Sequence, residues 1–497
     1  MRIFFLNPPF FKNYCRPQRS PGVNPGGTQY YPLYLCYAAG YAEKLGHETK
    51  LIDCPARNYE IDVPSKIVKE WKPDLLIVES STPSVYNDID VIKRLKEIKP
   101  DIYAVLVGTH VTATAEETLQ IDPILDGVLR YEYELTVVDL AEKIEGKGDL
   151  STVLGLSYRD KDGKIKHNPD RGFEEDLEKF PFVAFEYKKH LVHTDYRYAH
   201  SRHPILTLIT TRGCPFRCIQ CVYPQTFAGH KMRLRDPVAV VDEIVWAWRN
   251  FPLRDIMFED DTFIAVKKHT ITICEEILRR NFNFSFSANA RADVDEETLK
   301  ILKRAGCRLL CVGFESGNQK VLDNMKKSNT LEKAREFVRN TMKHGILVRG
   351  CYMIGLPGET RKTMQETLDF AIELNTDTAQ FFPVMLYPGT EFYDWAIKEG
   401  YLNRHDYRDW VDREGYYRTH LSYPELSNEE MVNFCHNARK AFYLRPRYLT
   451  HQIWWTMKHP GEFSRNLDYA KIFFKFFKRS KPKGKATDLI GDKDKSC

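Results

Sequence analysis

Three cysteines on one short stretch, Cys214, Cys218 and Cys221, limit what this chain can become more than any other feature. They follow the strand-like run Ile205–Thr211 and sit in Thr211-Arg-Gly-Cys-Pro-Phe-Arg-Cys-Ile-Gln-Cys221. The C-x3-C-x2-C spacing puts three thiolates on one loop, close enough to grip a single cluster. A cubane iron–sulfur cluster normally takes four cysteine ligands. A loop supplying three leaves one iron open to a substrate or cofactor. The alternatives are weaker. Zinc sites pair C-x2-C knuckles with a second Cys or His pair, and no second C-x2-C occurs here. Cysteine also serves as a small core residue, but three at this spacing on a Gly-Cys-Pro loop argue against that.

At 497 residues the chain exceeds one ordinary core and divides into two or three domains. Residues 1–145 alternate short apolar runs (Ile3–Leu6, Lys50–Ile52, Leu75–Val78, Ala104–Val107, Val128–Leu129) with helical patterns at Leu33–Leu45, Pro64–Trp71, Asp88–Ile98, Glu116–Ile121 and Glu134–Ile144. Five strands with crossover helices specify a doubly wound parallel sheet, which binds ligands beyond the carboxyl ends of its strands. The loops there hold Asn7, then Ser80, Ser81 and Thr82, then Gly108, Thr109 and His110. Small hydroxyl residues and glycine allow close backbone approach to a bulky ligand and hydrogen bonds to its amides. Such hydroxyls also simply cap helices.

Residues 146–203 read as a linker region, with a hairpin-like Tyr158–Ile165. From 204 to 400 six strand-like runs precede helical segments: Ile205–Thr211, Asp255–Asp260, Phe284–Asn289, Arg308–Phe314, Leu347–Ile354 and Thr378–Phe382. Asp236-Pro237 marks one helix start, Asp293 with Glu296 a capping box, and Gly306 a helix stop. Six β/α units make three-quarters of a TIM-like barrel, whose active residues come from the carboxyl ends of its strands.

The cysteine loop after a strand, Val312-Gly-Phe-Glu315-Ser-Gly317, Ile354-Gly355-Leu-Pro-Gly-Glu359 and Pro388-Gly-Thr390, in this order, resemble the radical S-adenosylmethionine (SAM) enzymes. With the N-terminal sheet, the likeness narrows to the subset carrying a cobalamin-binding domain, and it covers roughly residues 1–400. The fold it implies is α/β: an N-terminal flavodoxin-like, cobalamin-binding sheet, then a partial (β/α)6 radical SAM barrel, then a C-terminal helical region. The resemblance implies a 4Fe–4S cluster on Cys214, Cys218 and Cys221, SAM on the open iron, and cobalamin over the first sheet. It places Glu259 and Asp260 at the SAM amino group, Asn289 and Arg291 at its carboxylate or ribose, and Glu315 and Gly355 along the same site. Most family members have an aromatic residue before the third cysteine; here Gln220 stands there. Either Tyr223 takes over the adenine packing or that face is more polar than usual. The histidine motif that supplies cobalt's lower ligand in many cobalamin domains is absent, and the family's glutamate-rich end of the fifth strand reads Tyr131-Glu-Tyr-Glu134.

The implied chemistry is reductive cleavage of SAM and functionalisation of an unactivated carbon, foremost C-methylation. Oxidative cyclisation or rearrangement is the alternative, and a sensor without turnover a more distant one. An external electron donor of flavodoxin or ferredoxin type is implied. A net charge of +5 gives no case for nucleic-acid binding. Twelve mostly scattered cysteines fit a reducing cytoplasm rather than a secreted disulfide framework. No segment approaches the length of a membrane span, and the N-terminus reads as a first core strand rather than a signal peptide. Cys274, Cys307, Cys311 and Cys351 read as core. After Gly400, helical stretches Asn428–Tyr443 and Tyr448–Met457 suggest a C-terminal helical domain (401–480) covering the barrel mouth. Within it, 469–479 is a basic amphipathic stretch suited to core packing or to peripheral membrane contact. With the aromatic-rich C-terminal region it hints at an apolar or lipid-like substrate, the substrate being otherwise an unspecified small molecule. Residues 481–497 read as a disordered tail.

Overall fold

The computed structural model describes residues 1–16, 21–24, 26–402 and 406–458. Strands Arg2–Asn7, Glu48–Asp53, Leu75–Glu79, Tyr103–Val107 and Gly127–Leu129 are parallel and lie in the order second, first, third, fourth, fifth. Leu75–Glu79 and Ala104–Val107 are buried throughout, as continuous apolar runs covered on both faces require. Helices Leu33–Lys44 and Glu134–Glu145 pack together, as do Asp62–Trp71 and Val85–Ile98, forming the two outer layers of a doubly wound sheet. The hairpin read at Tyr158–Ile165 does not stand apart. Its strands Leu156–Arg159 and Ile165–His167 pair antiparallel beyond Gly127–Leu129 and extend the sheet to seven strands.

The second sheet contains Ile205–Leu208, Asp255–Phe258, Phe286–Ala290, Cys307–Glu315, Leu347–Ile354 and Thr378–Pro383, all parallel and in sequential order. Each strand is followed by a helix, giving the partial (β/α)6 barrel. Asp236 accepts from the backbone N–H groups of Val238 and Ala239 with Pro237 behind it, so that helix begins where the sequence places it. The next cap differs. Helix Glu296–Arg304 is capped by Asp295, which accepts from Thr298 N, while Asp293 turns back to Arg291. A side chain two residues earlier satisfies a guanidinium in preference to a helix end. Gly306 follows that helix at φ +104, where a Cβ would lie 2.3 Å from Phe284 O.

Helix Asn428–Tyr443 does not cover the barrel mouth. It packs on Thr378–Pro383, where the Tyr443 hydroxyl accepts from Ala379 N (3.0 Å) and donates to Ala379 O (2.8 Å). An open barrel leaves its last strand with unpaired backbone groups, and this helix covers them. Tyr417 reaches the central cavity instead, while Tyr407–Trp410 packs on the turn Thr82–Ser84 of the first sheet, with the Tyr407 ring 4.7 Å from that of His110. Segment 469–479 and the tail from 481 lie outside the described residues. No helix among the described residues is long and apolar enough to cross a membrane.

Candidate active site

The cysteine loop leaves the first barrel strand through Thr211–Arg212 and returns through Arg233–Leu234, which pair antiparallel at its neck. Gly213 makes the entry at φ +86; a Cβ there would fall 2.2 Å from Lys231 O. Only glycine fits that crossing. Inside the loop Cys214 N donates to Gly229 O (3.2 Å), and His230 Nδ1 lies 3.1 Å from both Cys214 O and Phe216 O, donating to the pair. Cys221 N donates to Cys218 O (3.2 Å), and Ile219 N to Met325 O (3.2 Å), tying the loop to the segment after the fourth barrel strand. Of the three cysteines, Cys214 is buried and the others are half-buried.

All three face one cavity of about 310 Å³ enclosed by the barrel. Three cysteines on one loop, with no further cysteine on it, are the donor set of a cluster with one open corner. Across from them stand Glu259, Asp261, Asn289, Arg291 and Glu315, at the ends of the second, third and fourth barrel strands. The Arg291 guanidinium lies 3.7 Å from the centroid of the Phe216 ring on the cysteine loop and donates to Lys327 O. Glu315, held at φ 68, accepts from Lys327 Nζ at 2.8 Å. A Cβ on Gly313 would sit 2.1 Å from Glu315 Oε1, so this glycine makes room for the carboxylate. Burial works against the Lys327 ammonium, but Glu315 and Cys218 outweigh it and hold its pKa above the ordinary lysine value. Lys327 is a cavity residue that the sequence reading missed, for it lies outside any strand end or motif. A carboxylate pair, a guanidinium and an ammonium can together orient a zwitterionic amino acid group.

Four expectations meet a different geometry. Asp260 does not face the cavity. Its Oδ1 accepts from Thr210 N (2.9 Å), Thr210 Oγ1 (2.9 Å) and Thr211 Oγ1 (2.6 Å), and burial raises its pKa. Adjacent residues past a strand end point to opposite sides, so Glu259 and Asp261 look inward while Asp260 braces the approach to the cysteines. Tyr223 is also off the cavity wall, packed against Phe227 with ring centroids 5.5 Å apart, whereas Gln220 is on the wall. Gly355 lies behind the site at φ +105, where a Cβ would meet Met431 Sδ at 2.8 Å. Finally, Cys311 and Cys351 line the cavity, unlike the buried Cys274 and Cys307. Cys311 Sγ lies 3.3 Å from His200 Nε2, and burial pushes its thiol to about 12.

The ends of the first sheet are packed differently. The crevice between its first and third strands is the switch point where flavodoxin-like sheets bind ligands. Arg16 fills it, donating to Asn7 Oδ1 (2.9 Å), Pro8 O (2.6 Å), Ser84 Oγ (3.2 Å) and Asp88 Oδ1 (2.8 Å). Asn7 also donates to Asp53 Oδ1 (2.9 Å), and Ser81 Oγ bonds Tyr14 OH (3.1 Å) and Ser84 Oγ (2.8 Å). Asn7 and Ser81 are therefore engaged within the protein, as is Thr82 in the buried turn Thr82–Ser84. Gly108 is required by backbone packing: at φ +122 a Cβ would meet Ser80 O at 2.5 Å. Thr109 opens the short helix Thr109–Ala113, half-buried, and Ser80 is buried beside Gly108. Around the third, fourth and fifth strand ends, Glu79 Oε2, His110 Nδ1 and Tyr133 OH are buried without a hydrogen-bond partner among the described residues. Burial pushes Glu79 up to about 8 and His110 down to about 3, so both are held neutral. Unpartnered neutral groups beside glycine suit a large ligand rimmed with amides such as cobalamin. Helix Thr109–Ala113 packs against Val222–Thr226 of the cysteine loop, joining this edge to the barrel cavity.

Residues 208–371 match the radical SAM superfamily, and residues 21–141 the B12 binding domain. The chain is 30% identical over 428 residues to an uncharacterized methyltransferase of Pyrococcus horikoshii, across 86% of this chain and 91% of that protein. It is 27% identical to the anaerobic magnesium-protoporphyrin IX monomethyl ester cyclase of Rubrivivax gelatinosus, across 79% of this chain and 69% of that one. Among solved structures, the radical SAM methyltransferase TsrM from Kitasatospora setae, with cobalamin and a 4Fe–4S cluster bound, superposes with a TM-score of 0.69 over 90% of this chain and 89% of that one, at 18% identity. That likeness is one of fold. The chain belongs to the radical SAM superfamily, in the branch that carries a B12-binding domain. It is an enzyme of that branch, whose cofactors are a 4Fe–4S cluster, SAM and cobalamin.

Proposed function

We propose that this enzyme transfers a methyl group to an unactivated carbon of a small molecule. The observation that carries the reading is the sharing of one cavity by Glu259, Asn289, Arg291 and Glu315 with Cys214, Cys218 and Cys221, on a loop whose helix Val222–Thr226 packs on Thr109–Ala113 of the first sheet. When bound, the cluster supplies an electron to SAM and cobalamin supplies a transferable methyl group. The chain's own residues align and seal. Cys214, Cys218 and Cys221 would hold the cluster. Arg291, kept rigid by Phe216 and Lys327 O, takes the SAM carboxylate, and Glu259 with Asp261 takes its amino group. Gln220 offers the adenine a polar face. His110 and Glu79, held neutral, would hold cobalamin by hydrogen bonds to its amides.

Met257, Met353, Met385, Tyr387 and Tyr417 form one side of the wall and exclude water from the reacting carbon, while His200, Arg349 and Gln380 add polar groups elsewhere on it. This apolar side favours a substrate with an apolar reacting end. An external one-electron donor, flavodoxin- or ferredoxin-like, is required to charge the cluster. The test is product analysis of the anaerobically reconstituted, reduced enzyme. Methyl transfer yields both 5′-deoxyadenosine and S-adenosylhomocysteine; 5′-deoxyadenosine alone would overturn the reading in favour of cyclisation or rearrangement.

A further inference from the structure

The glutamates at the end of the fifth strand of the first sheet meet the two arginines at the neck of the cysteine loop. Arg233 binds Glu132 through both terminal nitrogens, at 2.6 Å and 2.7 Å. Arg212 Nη1 lies 2.7 Å from Glu134 Oε1 and 3.7 Å from Glu132 Oε1. The Arg212, Arg233 and Glu134 side chains are each 1% exposed and that of Glu132 7%. The quartet is neutral and isolated from solvent. Each guanidinium is also fixed by rings: Arg212 lies within 5.2 Å of the ring centroids of Tyr34, Tyr37 and Phe180, and Arg233 lies 5.0 Å from Phe173. Arg233 further donates to Glu174 O (3.0 Å) and Ala228 O (2.8 Å). Four parts of the chain thus converge: the fifth strand's end, helix Leu33–Lys44, the connector around 173–180, and the neck of the loop.

A buried ion quartet contributes little net stability over well-packed apolar residues of the same volume. What it fixes is register, because a bidentate guanidinium–carboxylate pair has one geometry. Arg212 and Arg233 face each other across the neck ladder, so a shift of either moves the entry or exit of the segment bearing the three cysteines. We propose that Glu132 and Glu134 are positioning residues that clamp this neck and set the distance between the cluster side and the cobalamin side of the enzyme. The proposal rests on the cofactor reading above, but the clamp is measurable without it.

The experiment compares wild type with E132Q and, as a milder variant that preserves charge, R233K, in full-length anaerobically reconstituted protein. Amide hydrogen exchange of residues 213–232 is expected to quicken by about tenfold or more in E132Q while the barrel core is unchanged. The reduced cluster's electron paramagnetic resonance response to SAM is expected to broaden or shift. S-adenosylhomocysteine release is expected to fall about tenfold more than 5′-deoxyadenosine release, because only the former needs both halves aligned. R233K, which keeps one of two bonds, should fall between. If either variant shows unchanged loop exchange and an unchanged SAM response while only melting temperature drops, the quartet is merely structural and the proposal is overturned. Wild type that releases no S-adenosylhomocysteine would sink the functional reading instead, leaving loop exchange as the measure of the clamp.

Discussion

The two parallel sheets aim their carboxyl ends at the same interior, yet they finish in opposite ways. Arg16 closes the switch-point crevice of the first sheet, and Asn7, Ser81, Ser84 and Asp88 spend their hydrogen bonds on it and on each other. The barrel's ends stay open, with Arg291, Glu259, Asp261 and Glu315 around an accessible cavity. Strand-end polar residues therefore do not by themselves mark a ligand site. What separates the two is whether a cavity stands beside the paired groups: Glu315 and Arg291 have Lys327 and Asp293 as counter-charges and still line one, whereas Arg16 fills the crevice it pairs in.

That contrast can be broken experimentally. The largest effect belongs to the thiols: replacing Cys214, Cys218 or Cys221 singly with alanine should remove the cluster and SAM cleavage together, read by iron and sulfide content and by 5′-deoxyadenosine. R291M should leave the iron content intact and raise the SAM dissociation constant about ten- to a hundredfold, the value of one charge-assisted pair. Asn7→Ala, by contrast, should lower melting temperature with little effect on cobalamin affinity, since Asn7 serves the Arg16 network; a large affinity loss would erase the distinction between closed and open strand ends.

Glu79 sharpens it through pH. Its pKa, raised by burial to about 8 in the folded chain, lies above the ordinary carboxylate value in the unfolded one, so the folded state holds the extra proton. Its stabilising contribution is full below about pH 4.5 and is lost as pH rises towards 8 and beyond. E79Q should flatten that decline, checked by denaturant titration of wild type and variant at pH 6 and pH 9. The smallest effect is at His110: H110A should weaken hydroxocobalamin binding about fivefold, the worth of one neutral hydrogen bond, with the cluster untouched.

Much of the fold was legible because it is periodic. Ile3–Leu6 or Leu75–Val78 can only be buried strands between helices, and five of these alternations fix a doubly wound sheet. The barrel helix starts were legible where a cap is local, as at Asp236. Asp295 displaced Asp293 because Arg291, fixed by Phe216 of the distant cysteine loop, claimed the nearer carboxylate. Asp260 was misplaced for a related reason: Glu259, Asp260 and Asp261 are equivalent in sequence, and only the chain's path past the strand end decides which two face inward. Lys327, Cys311 and Cys351 carried no sequence signal, because facing a cavity depends on what stands across it.

The sequence by itself determined the three-thiol loop, the two parallel sheets and their order along the chain, since spacing and hydrophobic period act over a few residues. Only the tertiary structure decided which polar residues are spent inside the protein and which remain for ligands. It alone joined Glu134 to Arg212 and Glu132 to Arg233, the latter pair 101 residues apart in sequence. Charge pairing in a buried site depends on distance in space and on exclusion of water, and neither is written in the order of the residues.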